Sequence, residues 1–172
     1  MLIRKSGFDD LDQINSIYEK AREFMRESGN LNQWTNGHPS RETANLDILE
    51  EKSYVCIHED KIAAVFYFAI EDDPTYAEID GMWLNDLPYG VVHRIARARD
   101  VRVVDKETGE NISIGAYCLN WAFSRCTNLR IDTHEDNAPM RRLLDKLGFE
   151  YCGIIKLQNG DDRMAFQKGE RK

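Results

Sequence analysis

Apolar positions recur along the chain with two different periods, and the changes of period divide it into elements. Residues 2–4 read as a short strand, and Gly7-Phe-Asp-Asp then opens a helix whose Leu11, Ile14, Ile17, Tyr18, Ala21, Phe24 and Met25 fall three and four residues apart. That spacing predicts one buried helical face. Residues 28–40 are rich in turn formers and read as a loop carrying Trp34 and His38, after which Ser40, with Glu42 and Thr43 close behind, starts a second helix running to about Lys52. Two β-rich runs, 54–58 and 62–70, are separated by Glu59-Asp-Lys and form an antiparallel hairpin. Residues 72–90 make a long irregular connection to a strand at 91–96. The stretch from Val101 to Ile114 is either a small hairpin or a flexible excursion. Helical periodicity resumes at Ala116 with Cys118, Leu119, Ala122 and Phe123, and a strand at 129–133 leads into a helix started by Asp136-Asn-Ala-Pro. Leu143, Leu144 and Leu147 are its core face, Gly148 its left-handed stop, and 151–157 and 163–168 are closing strands.

With 172 residues, 42% hydrophobic and 31% charged, the chain suits one ordinary core, and disordered, fibrous and disulfide-scaffold classes fit poorly. No stretch approaches a membrane span, and the N-terminus lacks a signal-peptide core, so a cytoplasmic protein is expected. Cys56, Cys118, Cys126 and Cys152 show no metal-binding spacing and are expected as buried thiols in a reducing compartment. The net charge of −7 divides into −10 over residues 1–89 and +3 over the remainder, which argues against nucleic-acid binding. Arg94, Arg97, Arg99 and Arg102 nevertheless crowd one short segment, either as a patch for a small anion or as a solvated loop.

The order strand, helix, helix, three strands, helix, strand, helix, two strands resembles the GNAT superfamily of acyl-CoA-dependent N-acyltransferases. The sharper likeness is Leu129 to Phe149, which resembles that family's fifth strand and fourth helix, with Asn137 at its asparagine and Leu147-Gly-Phe at the helix end. The resemblance implies one domain over 1–172 with an unusual excursion at about 97–112. It implies a mixed α/β fold: a mostly antiparallel twisted sheet of about seven strands, helices on both faces, and a V-shaped splay between the fourth and fifth strands. It also implies acetyl-CoA as co-substrate in that wedge, with Ile95, Ala96 and Arg97 beside the pantetheine arm and Asn137 nearby. Ser113, Ile114, Gly115 and Ala116 would hold the pyrophosphate at the start of the third helix, where free amides and the helix dipole favour an anion. Of the family's glycine pattern only Gly115 matches, since Glu110 stands at the basic or amide position and Ser113 at a glycine. Arg97, Arg99 or Arg102 are candidates for the missing charge, unless the excursion is disordered or packs on a partner subunit.

Acyl transfer to an amine needs a route for the amine proton and a donor for the leaving thiolate. The family's donor tyrosine falls on Leu144, and His134, Tyr117 and Cys118 are substitutes by position. His93, on the fourth strand, is a candidate base, the alternative being a histidine bonded within the sheet. His134 is a second catalytic candidate or an exposed residue before the helix cap. Glu78 and Asp80 are either collectors of the amine's charge or a charged linker. Trp34, His38 and Trp83 are candidate walls of the acceptor site, or core packing. HExxH, GxSxG, Walker and dinucleotide motifs do not occur, and no metal is expected. The expected protein is an N-acetyltransferase that acylates a primary amine of a small molecule or peptide in a ternary complex. Its partners are acetyl-CoA and that amine, with no nucleic acid and no membrane, and a homodimer is compatible. The alternative is a GNAT-fold regulatory or interaction module with weak or no CoA binding.

Overall fold

The computed structural model describes residues 1–171. Its strands are β1 (Leu2–Lys5), β2 (Ser53–His58), β3 (Lys61–Ile70), β4 (Asp80–Gly81), β5 (Gly90–Arg97), β6 (Leu129–Thr133), β7 (Glu150–Lys156) and β8 (Asp162–Lys168). Its helices are α1 (Leu11–Glu27), α2 (Arg41–Leu49), α3 (Ile114–Cys126) and α4 (Ala138–Lys146), with short 3-10 turns at Phe8–Asp10 and Pro74–Tyr76. The strands form one sheet in the order β1-β2-β3-β5-β6-β8-β7-β4, antiparallel throughout except between β5 and β6. The eighth strand is β4, two residues inside the connection expected to be irregular. It closes on β7 because Gly81 and Gly153 both take positive φ and a Cβ on either would collide with the opposite backbone.

Local chemistry sets the helix limits. Ile14, Ile17 and Tyr18 bury the inner stripe of α1, and Ser40 caps α2 by accepting from the Thr43 amide. Asn137 caps α4, and the Gly148 and Phe149 amides close its end on the Asp145 and Leu144 carbonyls. β3 is buried on both faces: Phe66 and Phe68 meet Trp121 of α3, whereas Tyr67 lies on the other face beneath Arg94, which is paired with Asp47 of α2.

Two irregularities in β5 make the opening. Opposite β3, Val65 pairs with Ala96 but Tyr67 pairs with His93, so β5 carries one extra residue, and Arg94 sits there at φ 53. Opposite β6, β5 pairs only through Gly90 with Leu129 and Val91 with Arg130. Beyond that point the strands separate, leaving that edge of β5 from Val92 onward without a strand beside it.

The excursion after β5 is ordered. Val104 and Asn111 make a single antiparallel bridge, and an Asp105–Thr108 turn closes its tip, with the Asp105 carboxylate accepting from the Glu107 and Thr108 amides.

Candidate active site

His93 leaves β5 just before the bulge and meets two carboxylates from elements far away in the chain. Its Nε2 lies 2.6 Å from Asp73 Oδ2, and its Nδ1 lies 3.6 Å from Asp132 Oδ1 of β6. Because an ionised carboxylate only accepts, Nε2 donates to Asp73, and Nδ1, which makes no hydrogen bond among the described residues, faces Asp132. Asp73 is fixed by the Thr75 amide and hydroxyl, and Asp132 accepts from the Tyr76 hydroxyl at 2.7 Å. Burial opposes ionisation of Asp73, but the hydrogen bonds from His93 and Thr75 outweigh it and bring the carboxyl down to about 2. Burial, then Asp132, raises the Tyr76 phenol far above the ordinary range, so it stays a donor.

A depressed Asp73 stabilises the fold above the ordinary carboxylate pKa near 4, and that contribution is lost as pH falls from about 4 to about 2. The gap in Tm between the wild type and Asp73→Asn is therefore expected to be full at pH 6 and to close across that window. A gap that persists at pH 2 would assign the stabilisation to packing instead.

His93, Asp73, Thr75 and Asp132 line a cavity of about 540 Å³ in the splay. Trp34 and His38 of the α1–α2 loop form part of its wall. The loop is tied down at three points: Asn137 Nδ2 donates to Gln33 Oε1 at 2.9 Å, Asn32 reaches Asp136, and Arg22 reaches the Pro39 carbonyl. Partial burial, followed by the guanidinium groups of Arg94, Arg22 and Arg163, holds His38 below the ordinary imidazole value. Thr133, at the end of β6, lines the cavity with a buried hydroxyl that has no partner.

A second recess of about 430 Å³ runs between α1, β5, α3 and α4, and it shares Met25, Ile95, Asn137 and Met140 with the first. Ile95, Ala96, Arg97, Ser113, Gly115 and Asn137, all expected at the cofactor, line it. A third recess of about 470 Å³ continues around the start of α3, where Arg97, Arg99 and Arg102 stand with Ile114. Ser113 caps α3 by accepting from the Ala116 amide, which leaves the Ile114 and Gly115 amides without an intrahelical partner. Ala116 lines neither recess, and its amide is taken by the cap. Glu110 lines neither recess, because the excursion carries it to the solvent side, where its carbonyl accepts from Asp105. A Cβ on Gly115 would stand 3.0 Å from Leu143, so this glycine also lets α3 approach α4.

Several expected residues are not brought to the His93 cavity. His134 lines a neighbouring recess, with Nδ1 accepting from the Asp136 amide. Trp83 packs on Tyr76 and under Arg130 in another recess, donating to the Tyr76 carbonyl. Tyr117 donates to the Met1 carbonyl, Cys118 and Leu144 are fully buried, and Glu78 and Asp80 lie outside the cavity. Asp73, Asp132, Thr133 and Arg163 were missed. Period-2 alternation puts Asp132 and Ala165 on one face, but no local pattern announces that Asp73 folds back onto His93. Among the described residues no cluster of His, Cys, Asp and Glu is arranged to hold a metal ion. Nor is any helix among them long and apolar enough to cross a membrane.

No protein-family model matches the chain, and no curated protein matches it. Solved structures do. A GNAT-family acetyltransferase from Streptococcus agalactiae 2603 superposes with a TM-score of 0.84 at 30% identity, over 99% of this chain and 96% of that one. The chain belongs to the GNAT family of acetyltransferases. Two further structures share the GNAT fold at lower identity. One is a GNAT-family acetyltransferase from Listeria monocytogenes 4b F2365, with a TM-score of 0.67, 19% identity and coverage of 97% and 93%. The other is yncA from Salmonella typhimurium, solved with its cofactor acetyl-CoA, with a TM-score of 0.62, 14% identity and coverage of 100% and 95%.

Proposed function

We propose that the chain transfers an acetyl group from acetyl-CoA to a primary amine, with His93 as general base. The observation that carries this reading is His93, held between Asp73 and Asp132 with its Nδ1 3.6 Å from Asp132 Oδ1, in a cavity that shares four lining residues with the recess expected to hold the cofactor. The recess is suited to such a ligand. It has an apolar bed, two free helix-start amides, and Arg97, Arg99 and Arg102 in place of the family's basic residue. Acetyl-CoA supplies the thioester carbon that the amine attacks.

The remaining work falls to the chain's own side chains. An ammonium group entering between Asp132 and His93 is held by the carboxylate and yields one proton to Nδ1; the amine lone pair then forms the C–N bond, and as the C–S bond breaks the second nitrogen proton passes to the departing thiolate. Asp73 keeps the ring in the required tautomer and faces the imidazolium that results. With leucine at the family's tyrosine position, the Thr133 hydroxyl, unpartnered among the described residues, can steady the departing thiolate by a hydrogen bond. The whole chain would act as one acetyltransferase domain whose 97–112 excursion completes the cofactor site. Its four free thiols suit the cytoplasm.

Calorimetric titration with acetyl-CoA tests the reading. Micromolar binding is expected, and Arg99→Gln with Arg102→Gln should weaken it by about 10²-fold through lost charge-assisted phosphate contacts. Glu110→Arg should change little, because Glu110 stands outside the recess. Absence of binding at millimolar acetyl-CoA would replace the enzyme with a non-catalytic interaction module.

A further inference from the structure

The His93 cavity has a second pole, of opposite charge. Arg163, at the start of β8, is only 6% exposed and lines this cavity, yet its one hydrogen bond among the described residues runs from Nη1 to the Asp162 carbonyl at 2.8 Å. Its nearest carboxylate, Asp161, stands 3.7 Å from Nη2, beyond hydrogen-bond reach, and is itself half in solvent. A guanidinium carries five donors, and those of Arg163 that no protein group takes are not sealed from solvent, so they stay available to a ligand in the cavity it lines. No other cation of the cavity is as free. Arg94, the other cation there, has Nε and Nη2 engaged by Asp47 at 2.9 and 2.8 Å, and His38 is biased towards its neutral form.

Register places this cation relative to the amine end. Asp132 pairs with Ala165, so Arg163, two residues earlier on β8, is its diagonal neighbour on the same face, about 7–8 Å away. One small molecule can touch both poles. Two carboxylates and a free imidazole nitrogen select an ammonium at one end, and an under-bonded buried guanidinium selects an anion at the other.

We propose, building on the acetyltransferase reading, that the acceptor amine carries a carboxylate on the same molecule, as an amino acid does, and that Arg163 binds that carboxylate. Asp161 is the competing anion that the acceptor displaces.

The test uses matched pairs: α-amino acids such as phenylalanine and methionine with the amines left by removing their carboxylates, and ω-amino acids of increasing length with the corresponding alkylamines. Thiol release from acetyl-CoA gives kcat/KM, and calorimetry with CoA present gives acceptor binding independently. At least one carboxylated probe is expected to exceed its matched amine by about 10²-fold, with Arg163→Gln erasing that preference through KM and leaving acetyl-CoA affinity unchanged. Asp161→Asn, at a far more exposed position, should act in the opposite sense and lower KM for carboxylated acceptors alone, which keeps the proposal testable if Arg163→Gln does not fold. Equal or better use of the plain amines, or a preference that survives Arg163→Gln, overturns it while leaving the acetyltransferase intact. Carboxylated probes that bind in an Arg163-dependent way without being acetylated would support the anion site and reject the enzyme reading. Failure of every carboxylated probe to bind or react rejects the site.

Discussion

Replacing His93 with alanine is expected to lower kcat/KM for acetyl transfer by about 10²-fold or more, the ordinary contribution of a positioned general base. The ring takes no part in the recesses around α3, so acetyl-CoA affinity should stay at the wild-type value. Amine acceptors lose the group that takes their proton. Asp73→Asn should produce a smaller loss in kcat, because the amide no longer selects the Nε2–H tautomer. Undiminished turnover across the pH range in His93→Ala would make His93 a bonded element of the sheet and would remove the proposed mechanism.

The largest effect on stability is expected from Arg94→Met. Arg94 binds Asp47 through two parallel hydrogen bonds, and both side chains are largely buried, at 18% and 10% exposure. Burial already pushes the Asp47 carboxyl upward, and Arg94 is the main influence opposing it. Removing the guanidinium leaves a buried carboxylate without its counter-charge, which costs about 3 kcal/mol in comparable pairs and lowers Tm by about 6–12 °C for a chain of this size. The double replacement Arg94→Met with Asp47→Leu should recover most of the loss, since an apolar pair has no desolvation cost to offset. A single variant that melts with the wild type would show that the pair contributes nothing to stability. Arg94 also sits at the β5 bulge at positive φ, so its pairing with α2 helps to hold the backbone that aims His93.

The elements that could be read from the chain are those whose causes lie within a few residues. The 3.6-residue stripe of α1, the Ser40 and Asn137 caps and the Gly148 stop each involve side chains and amides less than two turns apart. The Leu129–Phe149 segment carries enough of this local signal to resemble its family on its own. Even His93 was found as a candidate, because a histidine on that strand is a side chain suited to act as a base near neutral pH.

What surrounds His93 could not be read in the same way. Asp73 is twenty residues earlier, in a connection without periodicity, and reaches the imidazole only because β3 and β5 pair with a one-residue offset. Glu110 looked like a defect beside the phosphates because the pattern was counted residue by residue, whereas the Val104–Asn111 bridge takes the intervening chain out to solvent and leaves arginines in its place. His134 and Trp83 have the right side chains and the wrong recess: direction past a strand end, or along a two-residue strand, follows from pairing with distant partners.

By itself, then, the sequence determined the longer strands and helices, their caps and the resemblance to the family, all consequences of short-range sterics and of which face of each element is apolar. The tertiary structure alone decided which carboxylates flank His93, which arginines line the recess at the start of α3, and that Arg163 lies largely buried along the His93 cavity. Those depend on strand register and on where β5 and β6 part, and register is set by the packing of the whole sheet, in which a shift of one residue turns every side chain to the opposite face.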